Sequence, residues 1–505
     1  MKKFRYILPC FLLGLTLSSC NGFLDKEPWD SIDTSKSFQA AEDAIAAVNG
    51  AYQPLQWPKL YNMRMWTLDI VAGNSIVGAG GGTDGIETTD MANFITTTDN
   101  AGVLDVWRGP SPGILRCNFV IKNVPGMNID QSLKNRCLGE AKFLRAHYYF
   151  ILVRLFGGVP LLTEPQTSED DLKPFRASKE EIYKLIEDDL KEAINLLPDK
   201  SSYSASDLGR ASKGAAMGLL AKVYLTQRKE YAEIVRLCEE IQKLGYRLND
   251  DYSDNFNPNK KNGPESLFEV QYYGKTNYDF WSNENQSSWL SAFTGPRNSD
   301  MVAGGYGWNQ PTAEFVSQYE EGDNRKDKTI LYLGCPDFDG KQYQSSYSTT
   351  GYNLRKFLVP KSISMDYNTS PANFVVLRYA DVLLMKAEAL NEQALTTDAE
   401  APLYEVRKRA GLTNRADIEG LTQDQMREKI IQERRIELAF EGDRWFDLVR
   451  LKDNYALKFL HSIGKTNAAE KHLLMPIPLK EIEANGNLKQ NPGCLLYTSP
   501  SPRDA

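Results

Sequence analysis

The spacing of apolar residues along the chain predicts helices over most of its length. Apolar residues in the stretch KSFQAAEDAIAAVNGAYQPL recur three or four positions apart, at Phe38, Ala41, Ile45 and Val48. This is the spacing of one face of an α-helix. Thr34 or Ser35 lies where an N-cap would stand. The pattern therefore predicts an amphipathic helix near the beginning of the chain.

Two later segments show the same helical spacing together with start and stop signals. Apolar residues recur from Leu138 to Val153, and Gly157-Gly158 then stops the pattern. The segment SKEEIYKLIEDDLKEAINLLP begins with Ser178 and has Glu181 three residues later, which is a capping box, and Pro198 ends it. We therefore expect two consecutive helices here.

Several helix pairs resemble tetratricopeptide hairpins. In SKGAAMGLLAKVYLTQRKEYAEIVRLCEEIQKLGYRL, the first helix closes at Tyr224-Leu225 and the second opens at Tyr231, and small residues in the first would let a neighbouring helix come close. RYADVLLMKAEALNEQ followed by EAPLYEVRKRAG predicts a similar pair, as do Ala141–Leu155 with Ile182–Leu197. The fold class predicted is all-α, built from such hairpins; a generic helical bundle is the alternative.

Residues 251–372 break this helical pattern. They are rich in Gly, Asn, Ser, Tyr and Trp, and ESLFEVQYYG alternates as a β-strand does. We expect a mainly helical scaffold from residues 20–250 and 373–493, with a loop-rich insertion carrying short strands at 251–372. Loops held on a rigid scaffold are where binding sites usually lie.

The two ends of the chain differ from its body. Basic Lys2, Lys3 and Arg5 precede a short apolar run, and LSSC then places Cys20 as in a bacterial lipobox. We interpret residues 1–19 as a lipoprotein signal peptide and Cys20 as the lipid attachment site; a buried helix with a chance cysteine is the alternative. The last twelve residues, CLLYTSPSPRDA at 494–505, continue no preceding pattern and are interpreted as a non-native tail, against a genuine disordered tail.

Charge and cysteine usage narrow the function classes. The net charge is −7, and removing the basic signal segment makes it more negative, which argues against nucleic-acid binding. No other stretch is long and apolar enough to span a membrane, so a lipid anchor would be the membrane attachment. The spacing of Cys117 and Cys137 leaves a disulfide open, but buried free thiols are favoured.

Segments spread over nearly the whole chain resemble one family. The start CNGFLDKEP, the segments GEAKFLRAHYYFILVRLFGGVPL, RYADVLLMKAEALNE and IIQERRIELAFEGDRWFDLVRLK, and the closing LMPIPLKEIEANGNLKQNPG resemble SusD/RagB outer-membrane lipoproteins of Bacteroidetes. The resemblance implies an all-helical core of about four tetratricopeptide-like hairpins with a variable, loop-rich face. It also implies a cell-surface protein that binds a nutrient, usually a glycan, and acts as a lid on a SusC-like TonB-dependent transporter.

Nothing in the sequence predicts an enzyme, a metal site or a cofactor. The chain has three histidines and no HExxH, GxSxG or Cys/His cluster, and the glycine-rich Gly78–Gly85 lacks the Lys-Ser/Thr of a phosphate loop. We interpret Gly78–Gly85 as a surface loop and His147 as a core histidine. The charges of Glu433–Arg444 are interpreted as ion pairs between packed helices rather than as a site.

The ligand face is predicted where aromatic residues mix with amides. Aromatic rings cover the C–H face of a sugar, and polar side chains bind its hydroxyls. The densest mixture is Tyr272–Pro311, and MWTLDIVAGNSIVG is a second candidate loop. The predicted ligand-binding residues are Trp281, Trp289, Trp308, Tyr306, Asn74, Asn283 and Arg297.

Three functions stay open at this level. The first is a glycan-binding lipoprotein of an uptake complex with a SusC-like transporter. The second keeps the uptake role with a peptide ligand, and the third is a protein-only adaptor of a surface complex. The aromatic insertion favours ligand binding, because the repeats of a pure adaptor would be more uniform.

Overall fold

The structure, a computed structural model, describes residues 38–80, 84–166, 172–275 and 278–494. The helices in chain order are α1 (Ala41–Tyr52), α2 (Leu68–Val71), α3 (Ile86–Ala92), α4 (Ala101–Arg108), α5 (Ser111–Asn123), α6 (Gln131–Phe156), α7 (Lys179–Leu196), α8 (Lys213–Gln227), α9 (Tyr231–Lys243), α10 (Leu290–Thr294), α11 (Ala313–Val316), α12 (Arg325–Thr329), α13 (Tyr379–Glu392), α14 (Thr396–Arg409), α15 (Gln423–Glu437), α16 (Arg444–Arg450), α17 (Tyr455–Ser462) and α18 (Leu479–Ala484). The strands are β1 (Ser75–Gly78), β2 (Ser266–Val270), β3 (Trp308–Pro311), β4 (Ile330–Leu331), β5 (Asn353–Leu354) and β6 (Phe374–Arg378).

Stacked helical hairpins form the scaffold, which confirms the predicted all-α, tetratricopeptide-like fold class. The pairs α6–α7, α8–α9 and α13–α14 each pack as a hairpin. Successive pairs join through contacts of α7 with α8, α9 with α13, and α13 with α15. Among the described residues no helix is long and apolar enough to cross a membrane.

Local sequence signals set several helix boundaries. The Ser178 hydroxyl accepts from the backbone N–H of Glu181, and the Glu181 carboxylate accepts from that of Ser178, so the predicted capping box is present. The first predicted helix begins later than expected, with Ala40 as its N-cap and the Asp43 carboxylate accepting backbone N–H groups. Thr34 and Ser35, the predicted caps, lie outside the described residues, as does Cys20.

The strands pair across long stretches of sequence. Strand β2 runs antiparallel to β6, β1 to β3, and β4 to β5. The β2 strand was predicted, but its partner β6 was not, because that partner lies about a hundred residues further along the chain. Among the small residues of α8, Gly218 admits this sheet: a Cβ there would lie 2.8 Å from the side chains of Leu267 and Leu377. The same helix also packs against the neighbouring helices α7 and α9.

Charged residues of α13 to α16 are buried in pairs between elements. Glu437 lies within ion-pair distance of Arg325, Arg378 and Arg409, which come from α12, the end of β6 and the end of α14. Arg434 forms ion pairs with Asp381 and with Asp447 of α16. The prediction that this charged segment forms ion pairs between helices is confirmed.

Thiols and the central histidine belong to the core. Cys117 and Cys137 are buried free thiols, and burial raises the pKa of Cys137 to about 11. The His147 Nε2 atom lies 2.8 Å from the Tyr61 hydroxyl, and burial lowers the pKa of His147 to about 3. These groups lie in the interior of the fold.

Candidate sugar-binding surface

A contiguous group of aromatic rings lies where the loop-rich segment meets the first half of the chain. We name it the aromatic cluster, and its members are Trp66, Phe280, Trp281, Trp289, Phe293, Tyr306, Trp308 and Tyr367. Each ring lies within 6.5 Å of another, measured between ring centroids; Phe280 and Trp289, for example, are 4.9 Å apart. The members come from four separate parts of the sequence, so the tertiary fold assembles the cluster.

Three rings of the cluster reach the surface. Trp281 is 53% exposed and packs its edge against Phe280, with 5.0 Å between ring centroids. Tyr367 is 44% exposed and packs edge-on against Trp289 at 5.1 Å. Tyr306 is half-buried against Phe293. Because the buried rings hold each of them from below, the exposed faces are preorganised for stacking.

Trp289 and Trp308 form the base of the cluster, and this corrects their prediction as stacking rings. They are 8% and 3% exposed, with neighbouring aromatic rings packed against them. Gly85 lets its loop close over Trp308, since a Cβ there would lie 2.4 Å from the indole ring. Neither indole offers an open face to a sugar, and both support the exposed rings instead.

Asn74 is also a structural residue, which corrects its prediction as a hydrogen-bonding contact. It is fully buried, its Nδ2 donates to Asp69, and its Oδ1 accepts from the Arg435 Nε at 3.0 Å. Asp69 in turn accepts from the backbone N–H groups of Phe440 and Gly442. Both ends of the Asn74 amide therefore join α2 to α15, so neither reaches a ligand.

Asn283 and Arg297 lie at the surface beside the exposed rings. The Asn283 side chain is exposed, while its backbone carbonyl accepts from Gln53 Nε2 at 2.8 Å and Trp57 Nε1 at 3.2 Å. The Arg297 guanidinium, 41% exposed, donates to the carbonyls of Ala79 and Tyr306. These bonds fix the loops that carry Trp281 and Tyr306.

Sequence reasoning missed Tyr367 and Phe293. Tyr367 lies in the polar stretch SMDYNTS, outside the aromatic-rich segment, and nothing in its local sequence marks it. Phe293 stands inside that segment, where its half-buried ring contacts five other members of the cluster. The one sequence feature that could have indicated Tyr367 or Phe293 is that each is an aromatic residue within the loop-rich region.

The surface offers groups for stacking and for hydrogen bonding. Among the described residues no group of three His, Cys, Asp or Glu side chains could hold a metal ion. Burial raises the pKa of the Tyr306 hydroxyl above its ordinary value, so it is a neutral donor at pH 7. Hydroxyl and amide groups and the Arg297 guanidinium beside flat rings suit a hydroxylated ligand.

Comparisons with known proteins identify the family of the chain. Residues 245–493 match the family model described as SusD family, and residues 22–225 match the one described as starch-binding associating with outer membrane. SusD-like protein P2 of Formosa agariphila is 30% identical, over 98% of this chain and all of its own.

Solved structures of similar fold include two whose names state a ligand. One is a laminarin-binding SusD-like protein, 29% identical with a TM-score of 0.78, covering 90% of this chain and 100% of its own. Another is surface glycan-binding protein A from Bacteroides thetaiotaomicron in complex with laminarihexaose, 25% identical with a TM-score of 0.73, covering 89% and 99%. Together with the match over both parts of the sequence, these findings show that the chain belongs to the SusD family.

Proposed function

We propose that this protein binds a glycan at the cell surface and delivers it to a SusC-like TonB-dependent transporter in the outer membrane. The observation that carries the proposal is the aromatic cluster with Trp281 and Tyr367 exposed and Tyr306 half-buried. Asn283 and Arg297 lie beside these rings, where they would bind sugar hydroxyls. Relatives named for laminarin, laminarihexaose or starch binding support a glycan as the ligand.

The lipobox supports the location. With Cys20 lipidated, the protein is anchored to the outer membrane while the aromatic cluster stays accessible to polysaccharide outside the cell. Replacing Cys20 with Ala should release the protein from membranes. Protease treatment of intact cells should degrade the wild-type protein if it lies on the outer face.

Affinity electrophoresis in gels containing laminarin, starch, xylan, mannan or pectin tests the binding function. We expect one of these polysaccharides to retard the wild-type protein and Trp281→Ala to remove most of that retardation. Phe175→Ala is the matched control, because Phe175 is an exposed ring, 72% accessible, outside the aromatic cluster. Binding of peptides but of no polysaccharide would contradict a glycan ligand.

Co-purification tests the transporter partner. The lipidated protein, solubilised in mild detergent, should carry with it a TonB-dependent transporter encoded beside its gene. Uptake of the bound glycan should fail in cells lacking this protein. Isolation of the protein with other surface proteins but without a transporter would favour the adaptor function.

A further inference from the structure

We propose that a polar groove next to the aromatic cluster is a second saccharide subsite, so that the ligand is a glycan chain long enough to occupy both. The inference rests on the proposed function. The groove lies between the end of α1, the loop before α8 and the end of β2, and its volume is about 440 Å³. This falls within the roughly 300–1,000 Å³ usual for ligand sites.

The lining of the groove combines a polar rim with an apolar wall, and a sugar ring has matching polar and apolar surfaces. Amide side chains contribute its polar rim: Asn49, Gln53, Gln56 and Gln286. Tyr52 and Leu208 contribute an apolar wall, and Leu208 is 41% exposed. A pyranose carries hydroxyls around its edge and C–H groups on its faces, so it can satisfy both surfaces at once.

Two of the rim amides, Gln53 and Gln56, are held in place and each keep one N–H donor free. Gln53 Nε2 donates to the Asn283 carbonyl at 2.8 Å, and Gln56 Nε2 donates to the Gln271 carbonyl at 2.7 Å. Within the described residues each nitrogen makes this one hydrogen bond, although an amide nitrogen carries two N–H groups. The second N–H of each can therefore bind a hydroxyl with little further loss of side-chain entropy.

The two charged groups of the groove are held by other parts of the protein. Arg210 pairs with Glu140 and Asp207, and also donates to Asn49. The Glu269 carboxylate accepts from Asn373 Nδ2 at 2.8 Å, and burial raises the pKa of Glu269 above its ordinary value. An anion finds no unpaired cation at Arg210, and Glu269 is only 4% exposed, so the accessible rim is mainly amide groups, which favours a neutral hydroxylated ligand.

One short segment joins the groove to the aromatic cluster. Trp281 belongs to the cluster, Gln286 lines the groove, and Asn283 between them is bound by Gln53 of the groove rim. Five residues reach at most about 18 Å even when fully extended. A glycan of several units that stacks on Trp281 can therefore cross this segment and enter the groove.

The test compares oligosaccharides of increasing length on the mature lipidated protein in detergent. The probes are size-fractionated hydrolysates of the polysaccharides in the affinity-gel panel, from the disaccharide upward, measured by calorimetry. We expect affinity to keep rising with chain length even for oligosaccharides longer than the aromatic cluster alone can hold. Leu208→Trp fills the groove and should lower affinity for the longest fraction about tenfold, with a loss that shrinks as chains shorten.

Leu395→Trp is the matched control, because Leu395 is similarly exposed, at 44%, in the turn between α13 and α14. Hydrogen exchange should also slow at residues 204–210 with long chains and not with the disaccharide. If Trp281→Ala weakens binding of every length while Leu208→Trp changes none, the groove subsite is refuted and the proposed function stands. If no fraction binds the wild-type protein, both proposals are refuted.

Discussion

Two regions of this molecule contain clusters of charged or aromatic side chains, and the two clusters differ in accessibility: the charged cluster is buried, whereas the aromatic cluster reaches the surface. Around Glu437, charged groups are buried and face opposite charges; Arg378 pairs with Glu265, Glu437 and Glu441 and is 1% exposed. Around Trp281, aromatic rings that would ordinarily be buried extend to the surface over a base of similar rings. The comparison shows that the solvent accessibility of the side chains, rather than their residue type, distinguishes a structural cluster from a binding surface.

The buried charges are stable because several partners share them. Burial alone would raise the pKa of Glu437, but Arg409, Arg378 and Arg325 together hold it below its ordinary value. The same balance holds for Asp447, where Arg434 and Arg450 outweigh burial and lower the pKa. Such a network tolerates loss of one member poorly, since the remaining charges are left without compensation.

Replacing Arg378 with Met should have the largest effect on stability. Three buried carboxylates would lose a shared partner, which costs about 3–5 kcal/mol in the free energy of unfolding. Urea unfolding followed by circular dichroism measures this loss. Arg236→Met is the control, because Arg236 is 57% exposed in its pair with Glu233 and should contribute about 1 kcal/mol or less. Equal losses in the two variants would contradict a structural role for the buried network.

Replacing Trp308 with Ala should destabilise the protein by about 3–5 kcal/mol, since it leaves a cavity among the buried rings. The exposed rings lose their support, so glycan affinity should fall as well. Thermal unfolding and affinity electrophoresis measure the two effects. Full stability with lost binding would instead indicate that Trp308 contacts the ligand directly.

Replacing Trp281 with Ala should show the reverse pattern. Its ring is more than half exposed, so the free energy of unfolding should change by about 0.5 kcal/mol or less. Glycan affinity should fall about tenfold, because a preorganised stacking face is lost. Calorimetric titration beside urea unfolding measures both, and a large loss of stability would place Trp281 with the buried base.

The smallest effect is expected at the edge of the charge network. Hydrogen bonds from Arg407 lower the pKa of Glu320 to about 2, although the Glu320 side chain is 37% exposed. Because the folded-state pKa is below the unfolded value, this contribution to stability is present above about pH 4.5 and is lost as the pH falls toward 2. Glu320→Gln should therefore lower stability by about 1 kcal/mol or less at pH 7 and by only a small part of that at pH 2. A constant difference across this pH range would contradict the ionic origin.

Local chemistry made much of the scaffold predictable. Helical spacing and the Ser178–Glu181 capping box depend on residues three or four positions apart, so the sequence displays them directly. The pairing of β2 with β6 could not be predicted, because it joins segments about a hundred residues apart. The small residues of α8 predicted that another element packs closely against this helix, but they did not indicate whether that element is a helix or a sheet.

The sequence predicted the region of the candidate site, but only some of the individual residues predicted there lie at the surface. Trp281, Tyr306, Asn283 and Arg297 lie at the surface and stay predicted ligand contacts. Trp289, Trp308 and Asn74 turned inward because distant residues cover them: Tyr367 packs on Trp289, Trp66 packs on Trp308, and Arg435 bonds Asn74. No local pattern distinguishes an aromatic residue whose ring is covered from one whose ring is open.

The amino-acid sequence alone was enough to predict most of the helical hairpins, the Ser178–Glu181 capping box and the family to which the chain belongs. Tertiary structure alone decided which aromatic rings are exposed, which amides are occupied and where a groove lies beside them. The physical reason is that helix periodicity and capping depend on nearest neighbours along the chain, whereas burial depends on packing between remote segments. A sugar-binding surface is defined by what remains uncovered after that packing is complete.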